Sequence, residues 1–186
     1  MRSKHLLYTS YTSLKPMETL EAINTRRSIR KFILKEIPDD AVTKILHAGM
    51  CAPTSGNQRP WQFIVIRDRV MIDQFIEAYP YSKKMLPDVP VTIMVCFDRN
   101  LEKYEKRWQI DCANATLCML LATHSLGYGG LWLEIYPIEE RINKIQDSFG
   151  IPKSVVPFAL VTIGHAAEEK PPIERFDQSI IHYDKW

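Results

Sequence analysis

The chain of 186 residues is 46% hydrophobic and 25% charged, and its 24 Lys and Arg against 22 Asp and Glu leave a formal charge of +2. Such a composition is that of an ordinary globular protein, for which disorder is not the default, the length allows one core and leaves a second cramped, and the weak charge excludes any global attraction for nucleic acid, so anion binding must be local. The longest apolar runs, WQFIVI and VTIMVCF, fall far short of the ~20 residues of a membrane-spanning helix, and the opening MRSKHLLYTSYTS lacks the continuous apolar stretch of a signal peptide. A cytoplasmic protein with no membrane partner is expected.

In chain order, residues 1–16 are polar and aperiodic and read as a peripheral extension, with a single domain over residues 17–186. METLEAINT, starting at Met17, predicts an amphipathic helix with Leu20, Ala22 and Ile23 on one side. RRSIRKF follows and sets Arg26, Arg27, Arg30 and Lys31 within six positions. EIPDDAVTKILHAGMCAP opens with Pro38 and two aspartates, then repeats Val42, Ile45, Leu46 and Gly49 at helical spacing. The loop PTSGNQRP leads into WQFIVI, a strand by its length and its β-branched and aromatic content. Helical signals return over DRVMIDQFIEAY, and a Pro-rich stretch leads into VTIMVCF, the unbroken apolar run of a buried central strand.

Residues 101–126 predict the longest helix, with Trp108, Cys112, Ala115, Met119 and Ala122 three or four apart and Gly127 as its stop. Its half ANATLCMLLA is apolar nearly all round and requires cover on every side, from its own domain or from another subunit. GGLWLEIYP reads as a short strand, PIEERINKIQDSFG as a helix closed by Gly150, and PFALVTIG as a last core strand before a Pro-rich, charged tail. Strands that alternate with helices around one sheet make the class α+β or α/β. Cys51, Cys96, Cys112 and Cys118 form no CxxC pair and lie in apolar segments, which predicts buried, reduced thiols. His47 and Cys51 share a helix face, but the other histidines are scattered and no HExxH occurs, so no metal is expected.

Two segments carry chemistry. Cations directly after a helix complement the negative end of its dipole, by roughly 0.3–1 kcal/mol each, which accounts for one or two of the four in RRSIRKF. Four together repel unless solvent or an anion screens them, and the arginine fork with the Ser28 hydroxyl matches phosphate oxygens. In APTSGNQRP the small and amide side chains on a Pro-braced loop suit either a flat polar ligand or a plain helix-to-strand turn. GYGG is open in the same way, since Gly127 stops a helix while Gly129 and Gly130 let backbone approach a ligand. No GxGxxG, GxxxxGK[ST] or GxSxG occurs, and the pairs Asp39–Asp40 and Glu139–Glu140 fit helix first turns better than acid–base catalysis.

RRSIRKF after the first helix, APTSGNQRPW entering the first core strand, GYGGLWLEIYP after the long helix, and GH followed by PPIER and Trp186 together resemble the FMN-dependent nitroreductase family in its short-chain form. The resemblance implies an α+β fold with a mainly antiparallel central sheet surrounded by helices, in an intertwined homodimer with FMN at the subunit interface. Carried over by position, Arg26, Arg27, Ser28 and Arg30 hold the flavin phosphate, ribityl chain and ring edge, and Arg175 closes on the phosphate. Thr54, Ser55 and Asn57 come from the other subunit, the backbone of Trp132, Leu133 and Glu134 faces the ring, and Lys84 lies near it. Arg59 stands where the family often has Gln, and Ile173 where it often has a basic residue. The implied activity is transfer of electrons from NADH or NADPH through FMN to a nitroaromatic, quinone or similar small acceptor in a two-step cycle. No side chain serves as nucleophile or base, and Arg30 is an electrostatic stabiliser. A reductive dehalogenase or flavin-degrading enzyme of the same fold is the nearer alternative, and a phosphate or nucleic-acid binding module the remote one.

Overall fold

The computed structural model describes residues 17–186, so the extension read over residues 1–16 lies outside the described residues. The regular elements are α1 (Thr19–Thr25), β1 (Phe32–Ile33), α2 (Asp39–Met50), β2 (Trp61–Ile66), α3 (Arg69–Ala78), β3 (Val91–Asp98), α4 (Trp108–Ser125), β4 (Gly129–Glu134), α5 (Glu139–Phe149) and β5 (Val155–Ala166). β5 is the hub of the sheet: it pairs with β3, with β4 and, at its end, with β1, while β2 pairs with β3. Every one of these ladders is antiparallel, and with helices packed on both faces the fold is α+β.

Burial on both faces explains why β3 and β5 read as unbroken apolar runs. Alternate residues of β3, Val91, Ile93, Val95 and Phe97, enter one core with Val42 and Ile45 of α2 and Cys112 and Met119 of α4. Met94 and Cys96 enter a second core with Ile72 and Phe75 of α3 and Ile145 of α5. α2 lies so close to α4 that a Cβ on Gly49 would stand 2.8 Å from the Met119 Cγ. α3 is started by Asp68, whose carboxylate accepts from the Val70 N–H at 2.8 Å, and α5 is closed by Gly150 at φ 63°. Asp39 and Asp40, and Glu139 and Glu140, occupy first turns of helices as expected.

Several expectations are corrected. The long helix begins at Trp108, not near residue 101, because side chains capture the amides that helix formation needs. Gln58 Oε1 accepts from the Lys103 and Tyr104 N–H groups at 2.8 and 3.0 Å, and Glu102 Oε1 accepts from Lys106 N–H at 3.1 Å. On α1 only Ala22 is buried, and Leu20 and Ile23 stay 73% and 51% exposed, so that stripe is not covered by the described residues. Cys51 is exposed and Cys118 half-buried, because both lie at the outer edge of the α2–α4 contact; Cys96 and Cys112 are fully buried. β1 escaped the sequence reading because two residues carry no periodicity.

Candidate functional site

The cation segment is laid along the start of β4. After α1 ends, the Ile29 N–H donates to the Gly130 carbonyl at 3.0 Å, and Ser28 forms a parallel bridge with Gly130. Ile29 packs into the second core, where a Cβ on Gly129 would meet its Cγ2 at 3.0 Å. With Ile29 turned inward, its neighbours Ser28 and Arg30 turn outward.

The far end of the chain then closes over this segment. The Ala167 N–H donates to the Lys31 carbonyl at 2.9 Å, continuing the β1–β5 pairing. Glu168 Oε1 accepts from the Arg30 and Lys31 N–H groups at 2.5 and 3.2 Å. Lys170 Nζ donates to the Ser28 carbonyl at 2.6 Å and pairs with Glu168 at 3.1 Å, and Arg27 donates to the Pro171 carbonyl. The product is a cavity of 160 Å³ lined by Arg26, Arg27, Ser28, Arg30, Lys170 and Arg175. Burial, then Arg175, then Arg27 hold the Arg26 guanidinium below its ordinary pKa, the signature of a cation cluster short of negative charge. A phosphate dianion supplies that charge and has the oxygens to accept several of these donors.

All five sequence-selected residues around the phosphate, Arg26, Arg27, Ser28, Arg30 and Arg175, therefore converge across the whole length of the chain. Lys170 joins them unannounced. Nothing in EEKPPIER marks it, and it reaches the cavity only because β5 delivers residue 167 to Lys31.

β4 supplies the neighbouring surface. Residues of an antiparallel strand turn their N–H and C=O groups alternately toward and away from the partner. Gly130 turns its carbonyl away from β5 to Ile29, whereas Ile135 gives its N–H to Phe158 on β5. By that alternation Trp132 and Glu134 present N–H and C=O on the same edge as the cation segment, and Leu133 turns toward β5. Among the described residues no strand pairs with β4 on that edge beyond Gly130. At its far end Arg141 donates to the Glu134 carbonyl at 2.5 Å and lies over the Tyr79 ring, 3.6 Å from its centroid.

Thr54, Ser55 and Asn57 do not line the cation cavity of their own chain. Their loop is tied to α4: Asp111, 1% exposed, accepts from the Ser55 N–H and Oγ at 2.8 and 3.2 Å and from Gln58 Nε2 at 2.6 Å. Thr54 Oγ1 accepts from the Arg59 N–H at 3.2 Å. Gln58 is thus spent inside the chain, and the polar side chains left facing out are Asn57 and Arg59, both exposed and both at positive φ (56° and 47°). Lys84, exposed on the turn after α3, also lies outside the cavity lining.

A second cleft, of 720 Å³, shares Arg27 and Lys170 with the cation cavity and is lined further by Thr25, His124 and Tyr128. His124 Nε2 lies 2.8 Å from Thr25 Oγ1, and burial, then the Arg26 charge, hold its pKa below the ordinary value against the opposing pull of Glu21. His47 Nδ1 and Cys51 Sγ are 3.6 Å apart, but among the described residues no group of three or more His, Cys, Asp or Glu side chains is arranged to hold a metal. No helix of the described residues is long and apolar enough to cross a membrane.

Known proteins are similar to this chain in sequence and fold. A protein of Methanothermobacter thermautotrophicus named "Putative NADH dehydrogenase/NAD(P)H nitroreductase" is 44% identical over 186 residues, covering 99% of this chain and 97% of its own. The crystal structure of a protein of the same name from Parabacteroides distasonis superposes with a TM-score of 0.85 at 32% identity, covering 90% of this chain and 98% of that one. That of a protein from Desulfovibrio desulfuricans named "putative nitroreductase", in complex with FMN, superposes with a TM-score of 0.79 at 29% identity, over 92% of this chain and 99% of that one. The model of the nitroreductase family matches residues 23–83 and 73–165, which span the cation segment, the Thr54–Asn57 loop and β4, and the chain belongs to that family.

Proposed function

We propose that the chain is an FMN-dependent oxidoreductase that uses NADH or NADPH to reduce a small acceptor such as a nitroaromatic or a quinone. The observation that carries the reading is the 160 Å³ cavity lined by five cations and the Ser28 hydroxyl, set against the unpaired edge of β4. The donor set fits FMN. Arg26, Arg27 and Arg175 would take the phosphate, with Ser28 toward the ribityl chain. Trp132 and Glu134 offer backbone donors and acceptors along the edge where the ring would lie, and Leu133 shapes that edge from within the ladder.

Bound FMN would supply the redox chemistry, taking electrons from the nicotinamide and giving them to an acceptor that enters the same cleft in turn. The protein's own part is to bind and orient. Arg30, exposed at the end of the cation segment, places fixed positive charge beside the site, where it would favour negative charge that develops during turnover. Arg141 keeps the end of β4 in place through the Glu134 carbonyl.

One chain holds half of such a site, and the other half would come from a second copy in a homodimer. Ile110 and Leu117 on α4 are 53% and 47% exposed, and Phe176, Ile180, Tyr183 and Trp186 of the tail are exposed as well. An apolar helix face and a tail this rich in large side chains require a covering surface. Thr54, Ser55 and Asn57 would then reach the partner's flavin, and Lys84 its rim. Four thiols without a disulfide among the described residues accord with a reducing, cytoplasmic setting.

The test is the absorption spectrum of the purified, never-stripped protein, followed by NADH and then NADPH under anaerobic conditions. Flavin bands that bleach support the reading and identify the donor, and nitroaromatics against halogenated phenols then sort the acceptor. A colourless protein that takes up no FMN from excess would overturn it.

A further inference from the structure

Lys170 sits where two structural ties and one cavity meet. An ammonium group carries three donors. The Ser28 carbonyl takes one at 2.6 Å and Glu168 another at 3.1 Å, while the group lines the cation cavity beside Arg26, Arg27, Arg30 and Arg175. Ile173, two positions before Arg175, lines a neighbouring cleft together with Ile23, Arg26, Arg27 and Phe176. Position 173 thus lies beside two of the same arginines, yet it carries an isoleucine that is 48% exposed and does not line the cation cavity.

We propose that Lys170 is a direct ligand of the cofactor phosphate, contributing from position 170 the charge that position 173 does not supply. The proposal rests on the FMN reading above and deepens it. Lys170 is also the link through which phosphate binding draws the two ends of the chain together. Its ammonium holds the backbone of the cation segment at Ser28, and the next residue, Pro171, accepts from Arg27. A bound dianion would complete the third donor of Lys170 and offset the Arg175 and Arg27 charges that, after burial, hold the Arg26 pKa down.

The competing role is a purely structural clasp, and riboflavin separates the two because it lacks the phosphate. FMN and riboflavin are titrated into the apoprotein by fluorescence quenching for wild type, Lys170→Met, Lys170→Arg and the double variant Lys170→Met/Ile173→Lys. Methionine keeps the apolar stem and removes the charge. The expected result is a loss of about ten- to a hundredfold in FMN affinity for Lys170→Met, with riboflavin affinity unchanged, most of the loss recovered in Lys170→Arg and part of it in the double variant. A parallel loss for both ligands, or no loss for either, overturns Lys170 as a phosphate ligand while leaving the flavin site standing. A wild-type protein that does not prefer FMN to riboflavin overturns the phosphate reading itself, and this assignment with it.

Discussion

Gln58 and Asp111, fifty-three positions apart, hold each other at 2.6 Å in a setting where neither meets solvent. The pair fixes two things together. It anchors the loop that carries Asn57 outward, and it lets Gln58 Oε1 take the Lys103 and Tyr104 amides that would otherwise extend α4. Replacing Asp111 with Ala leaves Gln58 Nε2 and the Ser55 N–H buried without a partner. The expected cost is about 3 kcal/mol of unfolding free energy, read as a lower urea midpoint at unchanged slope. Asp111→Asn keeps the acceptor at one oxygen and should cost about half as much. Equal midpoints for wild type and Asp111→Ala would show that the loop is held by something else.

Arg26 and Arg175 face one cavity from opposite ends of the chain, and Arg175 contributes to lowering the Arg26 pKa. Each single change to Ala should weaken FMN binding by about ten- to a hundredfold, as expected for a lost charge-assisted hydrogen bond. The loss should shrink as salt is raised, because part of it is Coulombic. Arg175 is exposed, and among the described residues its side chain makes no hydrogen bond, only its backbone N–H donating to Glu174 Oε1, so Arg175→Ala should unfold at the wild-type temperature. Unchanged flavin occupancy in both variants would remove the phosphate assignment.

What was legible beforehand follows from where the interactions lie. β3 and β5 could be read because burial on both faces writes itself as a continuous apolar run, β2 by its β-branched and aromatic content, and Gly150 because a left-handed residue is needed to close α5. The cluster Arg26, Arg27 and Arg30 was legible because its members are adjacent. Lys170 was not, since its place depends on β5 crossing the sheet and returning at Lys31, and a lysine in a charged tail carries no mark of that path. The start of α4 was misplaced for the same kind of reason: propensity over residues 101–107 is outbid by acceptors on Gln58, which lies in another segment. The stripe of α1 is legible as apolar, but among the described residues only Ala22 of it is buried, so periodicity alone does not tell which face enters the core.

The cysteines divide by environment, and thiol reagents should report the division. Cys51 is exposed at the end of α2, Cys118 is half-buried with its pKa raised by burial and then by Cys51, and burial pushes Cys96 up to about 12 and Cys112 higher still. Because the thiolate is the reactive form, a short exposure to iodoacetamide under native conditions should label Cys51 first, Cys118 slowly, and Cys96 and Cys112 only after unfolding. Peptide mapping by mass spectrometry reads the order. Native labelling of Cys112 at the rate of Cys51 would mean that the α2–α4 contact opens readily.

Glu168 makes the closure of the cation cavity depend on pH. Its carboxylate accepts from the Arg30 N–H, pairs with Lys170 and accepts from the Lys31 N–H, and these interactions, the Arg30 bond foremost and against a smaller opposing effect of burial, hold its pKa below the usual 4.5. A carboxyl whose folded value is depressed contributes stability that is fully present above the unfolded value and is lost as pH falls through the folded one. The window is therefore at and below about pH 4.5, and near neutrality the contribution is constant. Glu168→Gln keeps the shape but not the charge, so it should lower the melting temperature at neutral pH by a few degrees, the Lys170 and Glu168 side chains being 23% and 20% exposed. The difference between variant and wild type should narrow as pH is taken from 6 toward 3, because protonation removes from the wild type what the substitution has already removed. Melting curves of both proteins across that range, at one salt concentration, make the comparison. A difference that stays constant down to the lowest pH would show that the charge of Glu168 contributes nothing to the closure and that its hydrogen bonds to the Arg30 and Lys31 amides do not require it.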